Sequence, residues 1–250
     1  MDLRALEQEI HVLNQSVRLL QLAEGGFRTS LDSVMLAAAC PAKSGDHVLD
    51  LGCGVGGASF CLTYRCSDIR LSGVEWQTVY CDLARRNAVL NQVENRCDFI
   101  CTDIRDFNPS QKPIFDQVIM NPPFRESGDH TPSPDELLAV ANGHQDNDLT
   151  LEDWIKAGHR LVKNGGGLTI IFPVDGVDRI IRLMGKMFGA IEIIPLWSRA
   201  GIEAKRVIIR AIKDRKTPAR IHAGLVLHEL DGSYTEAADA VLRDGRGLFV

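Results

Sequence analysis

The sequence has no apolar run that approaches the roughly 18 uninterrupted residues of a membrane-spanning helix. Its first residues also lack the apolar core of a secretory signal peptide. Apolar residues make up 45% of the chain and charged residues 24%, an ordinary composition for a globular protein. We therefore expect a cytoplasmic protein that makes no contact with a membrane.

The cysteine pattern of a disulfide framework or a zinc site is missing too. The chain has seven cysteines, an odd number, and no two of them form a Cys-x-x-Cys pair. Cys61 with Cys66 and Cys97 with Cys101 could be imagined as metal ligands, but no histidine lies near either pair. We therefore predict buried free thiols and no metal.

An excess of positive charge is also absent. The formal net charge of −5 argues against a protein that coats nucleic acid without specificity. Any contact with RNA must therefore come from a local basic patch. A solvated face is the usual meaning of a basic run, but in an acidic chain we interpret this one as an RNA contact. The candidates, all in the C-terminal part, are Lys205, Arg206, Arg210, Lys213, Arg215, Lys216 and Arg220.

A regular alternation of strand and helix signals begins near residue 47. Helix-length stretches separate the first strand candidates, and Gln77–Asn91 is the clearest of them because its apolar residues share one face. Arg85, Arg86 and Asn87 are expected to point away from that face. The alternation predicts an α/β fold with a mainly parallel sheet and helices on both sides. The strand candidates are His47–Leu51, Ile69–Val74, Cys97–Cys101, Phe115–Met120 and Gly167–Phe172.

The flanking segments are less regular. Apolar residues spaced alternately by three and four predict a short helix over about residues 2–10, followed by a strand pair. Ser30–Ser33 can cap a helix that runs through Val34–Cys40. Near the C-terminus, Ile191–Leu196 and Val207–Ile212 are further strand candidates.

A glycine-rich turn, Asp50-Leu51-Gly52-Cys53-Gly54-Val55-Gly56-Gly57, follows the first of these strands. Its glycines let the backbone approach a ligand closely in front of a helix N-terminus. A dinucleotide site would use a similar turn, but Asp50 would repel a pyrophosphate and suits an ammonium group. Glu75 ends the next strand, placed for ribose hydroxyls, and Asp103 ends the following one, placed for an adenine amino group. The three acids predict S-adenosylmethionine rather than NAD, and the alternative is that each merely caps a helix.

The segment Asn121-Pro122-Pro123-Phe124 follows the strand candidate Phe115–Met120. The Asn side-chain carbonyl can accept a hydrogen bond from an amino group, and the first Pro keeps a free backbone carbonyl. The prolines hold the loop extended, and the Phe offers a flat face for a planar group. Together they predict a clamp for a planar NH2 group, such as a nucleobase amine or a glutamine amide. The alternative is a proline-stiffened turn capped by a core Phe.

With these two motifs, the chain resembles the class I S-adenosylmethionine-dependent methyltransferases that methylate amino groups. More narrowly, and over nearly its whole length, it is similar to the bacterial family that methylates adenine N6 in valine tRNA. The flanking segments that carry this narrower resemblance are Gly26–Leu36, Arg199–Val207 and Leu225–Thr235.

The resemblance implies a Rossmann-like sheet of seven strands, mainly parallel, with helices on both faces. It places an N-terminal extension at residues 1–40, packed on the cofactor pocket. A methyltransferase domain would span residues 41–250, including the C-terminal strands and the basic segment at about 191–250. The segment 125–150 is polar and weakly matched, which leaves the choice of target open.

The resemblance also assigns roles residue by residue. Asn121 and the Pro122 carbonyl would hold the target amine, with Asn121 beside the cofactor as well, and Phe124 would stack on the base. Relatives usually have Tyr at the position of Phe124. The implied cofactor-binding residues are Asp50, Gly52, Gly54 and Gly56 for the methionine part, Glu75 for the ribose, Asp103 for the adenine, and Arg28, Thr29 and Asp32 lining the pocket from the N-terminal side.

The implied activity is N6-methylation of an adenine in RNA, with S-adenosylhomocysteine as the product and tRNA or another structured RNA as the partner. The target would be an anticodon-loop adenosine of valine tRNA. One rival is a protein-glutamine N5-methyltransferase, which would be expected to carry a separate N-terminal domain. An rRNA or DNA amino-methyltransferase and a non-catalytic S-adenosylmethionine- or RNA-binding protein are the others. The sequence does not indicate an oligomeric state.

Overall fold

The described part of the chain, which covers residues 7–23, 29–124 and 149–248 of a computed structural model, begins with a β-hairpin. Strand β1 (Glu7–Val12) pairs antiparallel with β2 (Val17–Leu22). The prediction of a helix over residues 2–10 is therefore wrong for residues 7–10, and residues 2–6 lie outside the described part. In β2 every second residue is buried, which is the period of a strand, and the helical spacing of the apolar residues was coincidental.

Seven long strands form the central sheet in the spatial order β5-β4-β3-β6-β7-β9-β8. All of them run parallel except β9, which is antiparallel to both of its neighbours. Two short strands, β10 (Arg220–Ile221) and β11 (Leu225–His228), extend the edge at β8. The predicted mainly parallel sheet of seven strands is thus confirmed. Its strands are β3 (His47–Leu51), β4 (Arg70–Glu75), β5 (Cys97–Cys101), β6 (Phe115–Met120), β7 (Val162–Pro173), β8 (Phe188–Arg199) and β9 (Arg206–Lys213).

Helices cover both faces of this sheet. Alternate residues of β6 belong to opposite cores: Ile119 packs with the α1 and α2 side, and Val118 and Met120 pack with the α4 and α5 side. No helix among the described residues is long and apolar enough to cross a membrane. The helices are α1 (Leu31–Ala39), α2 (Gly57–Arg65), α3 (Thr78–Leu90), α4 (Leu151–Leu161), α5 (Val177–Met184) and α6 (Glu236–Leu242), with a 3-10 turn at Val174–Gly176.

Two side-chain amides, one in α3 and one directly after its last residue, attach the hairpin to the rest of the protein. Asn87 is completely buried, and its Oδ1 accepts a hydrogen bond from the Leu20 backbone N–H at 2.7 Å. Its Nδ2 donates to the carbonyls of Leu20 and Val55, each at 3.0 Å. Asn91 repeats the arrangement one turn later with the backbone of Arg18. The hairpin edge is therefore bonded to α3 and, through Asn87, to the glycine-rich turn.

Candidate active site

The predicted cofactor and catalytic residues meet at one edge of the sheet. Leu51 of β3 is paired with Val74 of β4 on one side and with Met120 of β6 on the other. The next residues along the three strands, Gly52, Glu75 and Asn121, therefore lie side by side. A strand-end crevice of this kind is where open α/β sheets bind their ligands.

The glycine-rich turn needs its glycines for two separate reasons. Gly52, Gly54 and Gly56 all have positive φ angles, of 68°, 54° and 89°, which side chains other than glycine rarely tolerate. Space is also short, because a Cβ atom on Gly52 would lie 2.2 Å from the Trp154 ring. A Cβ on Gly56 would lie 2.3 Å from the Phe60 ring. The turn thus brings bare backbone to the start of α2.

Two carboxyl groups lie buried behind this turn. Asp50 is 2% exposed and accepts a hydrogen bond of 2.6 Å from the Ser59 hydroxyl. Burial raises the pKa of Asp50 to about 7, although the hydrogen bond from Ser59 opposes the shift. Glu75 accepts hydrogen bonds from the backbone N–H groups of Gly54 and Gln77, and burial raises its pKa as well. An ammonium group bound beside Asp50 would favour its carboxylate form and so oppose the effect of burial on its pKa.

Three buried polar atoms border the same turn without a hydrogen-bond partner among the described residues. They are Thr29 Oγ1, Asn121 Oδ1 and Trp154 Nε1. Thr29 lies against Gly57, where a Cβ would come within 2.8 Å of its hydroxyl oxygen. Because an unmade buried hydrogen bond costs about 1–3 kcal/mol, such atoms indicate a place for a ligand. The donors and acceptors present fit the amino acid and ribose groups of S-adenosylmethionine.

Asp103 lies on the loop after β5, beside Glu75, whose carbonyl accepts a hydrogen bond from the Thr102 N–H at 3.0 Å. Its carboxylate is held by the Arg105 guanidinium at 2.8 Å and by the Arg105 backbone N–H. These hydrogen bonds keep the pKa of Asp103 below its usual value. An adenine amino group would have to share this carboxylate with Arg105.

Phe124 is in contact with residues from distant parts of the chain. The guanidinium carbon of Arg206 lies 4.7 Å from the centre of the Phe124 ring. The ring of Phe172, at the end of β7, is perpendicular to it, with 5.6 Å between ring centres. Arg206 Nε also donates a hydrogen bond of 3.0 Å to Asp32 Oδ2. Asp32, predicted from the resemblance to line the cofactor pocket, is therefore engaged by Arg206, and Arg28 lies outside the described residues.

Comparison with known proteins identifies the family. A family model described as "Methyltransferase small domain" matches residues 28–195. The chain belongs to this family. Related sequences named "tRNA1(Val) (adenine(37)-N6)-methyltransferase" include one from Haemophilus influenzae, 25% identical over 87% of this chain and 90% of its own length. Another, from Bacteroides fragilis, is 28% identical over 61% of this chain and 62% of its own length.

Solved structures support the methyltransferase fold. A protein described as a predicted O-methyltransferase from Agrobacterium tumefaciens superimposes with a TM-score of 0.71 at 24% identity. The match covers 87% of this chain and 98% of that one. TYW2 of P. horikoshii, solved in complex with MeSAdo, gives a TM-score of 0.55 at 16% identity and covers 84% of this chain and 72% of that one. The protein is thus an S-adenosylmethionine-dependent methyltransferase.

The predicted basic patch of this methyltransferase is not one surface. Lys205 and Arg206 lie at the active-site edge, where β9 begins, and Arg215 and Lys216 follow its other end. The eight residues of β9 separate the two groups by about 23 Å. Lys213 is 6% exposed, and its ammonium group donates hydrogen bonds to the carbonyls of His159 and Val162.

Burial lowers the pKa of Lys213, whose ammonium group is held inside the fold by those two carbonyls. Trp154 and Phe172 also border the site. No sequence motif marks them, because an apolar residue in a helix or strand is usually interpreted as part of the core. Among the described residues, no group of three or more His, Cys, Asp or Glu side chains is placed to hold a metal ion.

Proposed function

We propose that this methyltransferase transfers a methyl group to the exocyclic N6 nitrogen of an adenine in tRNA, with the anticodon-loop adenosine of valine tRNA as its target. The observation that carries the proposal is the buried Asn121 Oδ1, which has no partner among the described residues and follows directly on β6. The names of the related sequences support adenine in tRNA as the substrate.

The clamp formed by Asn121 and Pro122 accounts for the chemistry of an amino group. The bound cofactor supplies an electrophilic methyl group. Asn121 Oδ1 accepts a hydrogen bond from one N–H of the target amine, and the carbonyl of Pro122 accepts one from the other. These two bonds draw the nitrogen lone pair out of conjugation with the ring and aim it at the methyl group. The nitrogen would bond to the methyl carbon as the bond from that carbon to the cofactor sulfur breaks, which leaves S-adenosylhomocysteine, and the methylated nitrogen would release one proton to water. Because positioning and electrostatics do most of this work, the residues need no covalent intermediate.

Each of the remaining site residues would bind either the cofactor or the RNA. Asp50 and the glycines of the turn would hold the methionine part, Glu75 the ribose and Asp103 the adenine of the cofactor. Residues 1–40 would form an extension that closes the pocket. The contacts of Thr29 favour this arrangement, because its backbone N–H donates to the buried Gln21 of the hairpin and its hydroxyl borders α2. Lys205, exposed at this edge, is retained as an RNA contact. The target base must be unpaired or flipped out to reach Asn121.

Cofactor affinity should rise with pH until it levels off above about 7. Burial raises the pKa of Asp50 to about 7 in the free protein, and the carboxylate form is the one that attracts the cofactor ammonium group. Below that pKa, lowering the pH by one unit reduces the fraction of Asp50 in the carboxylate form about tenfold and weakens binding by up to the same factor. Titration calorimetry across this range would measure the slope. Asp50→Asn should bind weakly with a flatter profile, because only Glu75, whose pKa burial also raises, would still titrate in the buried pair. Parallel profiles for the two proteins would contradict the role of Asp50.

The function itself is tested by incubating the protein with unmodified tRNA and labelled S-adenosylmethionine. Nucleosides from the digested tRNA are then identified by mass spectrometry. We expect N6-methyladenosine with the wild-type protein, restricted to valine tRNA when single tRNA species are compared. Label that appears only on added protein would instead favour the glutamine methyltransferase, and label on a different nucleoside would overturn the assignment to adenine N6.

A further inference from the structure

The guanidinium group of Arg206 is held from two sides next to the loop Asn121–Phe124, here called the catalytic loop. On one side its carbon lies 4.7 Å from the centre of the Phe124 ring, a distance typical of a cation–π contact. On the other side its Nε donates to Asp32, a residue 174 positions earlier in the chain. The Asp32 side chain is 14% exposed and that of Arg206 is 34% exposed, so water only partly screens the pair. Arg206 is therefore fixed in place before any substrate arrives.

Phe124 is fixed along a second direction by Phe172. The Phe172 ring is 5% exposed and perpendicular to that of Phe124. Gly176 leaves room for it, because a Cβ at that position would lie 2.4 Å from the Phe172 ring. With these contacts in place, Phe124 is still 40% exposed. The ring thus keeps surface for a planar group while two neighbours restrict its rotation.

We propose that Arg206, anchored by Asp32, is a positioning residue for the target base: it fixes the Phe124 ring in the orientation on which the base stacks. This inference rests on the proposed function, in which Phe124 stacks on the methylated adenine. Asp32 consequently acts on the substrate side through Arg206 instead of holding the cofactor. Because Arg206 is the first residue of β9 and Asp32 lies in the first turn of α1, the pair also joins both elements to the catalytic loop.

A phosphate contact is the competing role for an arginine at this edge, and the two roles differ in what they change. An arginine that binds a phosphate strengthens RNA binding, so its loss raises KM and reduces the salt dependence of binding without changing kcat. An arginine that positions the stacking ring changes kcat at saturating RNA. Asp32 separates the two roles further, since its removal would free Arg206 to bind a phosphate and would leave RNA binding intact or stronger.

The test compares Arg206→Ala, Asp32→Ala and the double variant in full-length protein, with kcat and KM for tRNA and the affinity for S-adenosylmethionine measured for each. We expect each single variant to lower kcat by about tenfold, the effect of losing about 1.4 kcal/mol of orientation. The double variant should be no slower than the slower single variant, because both changes break the same anchor. Cofactor affinity should stay within about twofold of the wild type, since neither side chain would touch the cofactor.

Arg182→Ala and Asp178→Ala provide the matched control, because this ion pair on α5 has the same chemistry but is exposed. Both control variants should keep the wild-type kcat. Arg206→Lys keeps the charge but not the planar guanidinium, so it should recover part of kcat. If Arg206→Ala unfolds, Arg206→Lys takes its place in the comparison. The proposal is overturned if Arg206→Ala changes only KM and its salt dependence, or if Asp32→Ala keeps the wild-type kcat.

Weaker cofactor binding in Asp32→Ala would mean that Asp32 lines the cofactor pocket and would also contradict the proposal. Failure of the proposed function is visible separately. If the wild-type protein forms no N6-methyladenosine, the function is wrong, and the same variants are then compared on whichever amine the wild-type protein does methylate.

Discussion

Replacing Asn121 with alanine should lower the rate of methyl transfer by about a hundredfold to a thousandfold, the usual effect of removing one preorganised hydrogen bond from a reacting group. The change removes one of the two acceptors that hold the target amine. Because Oδ1 has no partner among the described residues, its loss breaks no hydrogen bond that the structure shows. The free energy of unfolding should therefore not fall, and cofactor affinity should stay nearly intact. Single-turnover rates and titration of S-adenosylmethionine would measure both quantities.

The matched control for this variant is Asn95→Ala. Asn95 is an exposed residue that precedes β5 at the opposite edge of the sheet, so its replacement should leave the rate unchanged. A rate for Asn121→Ala close to that of the wild type would show that the amine is held by other groups. A variant that loses cofactor binding as well would mean that Asn121 acts mainly on the cofactor.

Replacing Gly52 with alanine should abolish cofactor binding at concentrations that saturate the wild-type protein. The left-handed backbone at φ 68° costs an alanine about 1–2 kcal/mol. The added Cβ would also overlap the Trp154 ring at 2.2 Å, so either the turn or the start of α4 must move. Since the turn lies directly against the proposed cofactor position, we expect an affinity loss of about a hundredfold or more, near 3 kcal/mol.

Gly45→Ala is the control that separates backbone strain from overlap. Gly45 has a φ of 83°, and a Cβ there would meet nothing within 4 Å. This variant should lose a comparable amount of stability from strain and keep its cofactor affinity. Adding Trp154→Leu to Gly52→Ala should restore part of the binding by making room for the methyl group. Equal cofactor affinities for Gly45→Ala and Gly52→Ala would mean that the contact with Trp154 does not matter.

Much of the fold could be predicted because its signals are local. The sheet follows from apolar runs separated by helix-length stretches. The glycine-rich turn and Asn121 follow from their positions at strand ends, since parallel strands bring consecutive carboxyl ends to one edge. The N-terminal segment shows the limit of such reasoning. Its apolar spacing fits both a helix and a strand, and the strand is stabilised by a tertiary contact: the side-chain oxygens of Asn87 and Asn91 accept hydrogen bonds from the edge of β2.

Residues whose roles depend on distant partners could not be predicted. Asn87 was expected on the solvent side of α3, yet it is completely buried because the hairpin covers that face. Lys213 reads as part of a basic run, but its ammonium group is held by two backbone carbonyls. Arg206 belongs to the same run and instead joins Asp32 to Phe124. In each case the sequence shows a polar residue and the fold decides what it faces.

The side-chain amide of Asn87 couples the stability of the hairpin to that of the glycine-rich turn. It bonds the hairpin through Leu20 and the glycine-rich turn through the Val55 carbonyl, so neither can open without leaving that buried amide unsatisfied. A ligand that stabilises the turn should therefore stabilise the hairpin as well, by the reciprocity of coupled equilibria. The hairpin and Arg206 both lie outside residues 28–195, the segment that the family model matches. The matched segment contains the proposed reacting groups together with Asn87 and Asp32, while the hairpin and Arg206, which those two residues hold, come from the rest of the chain.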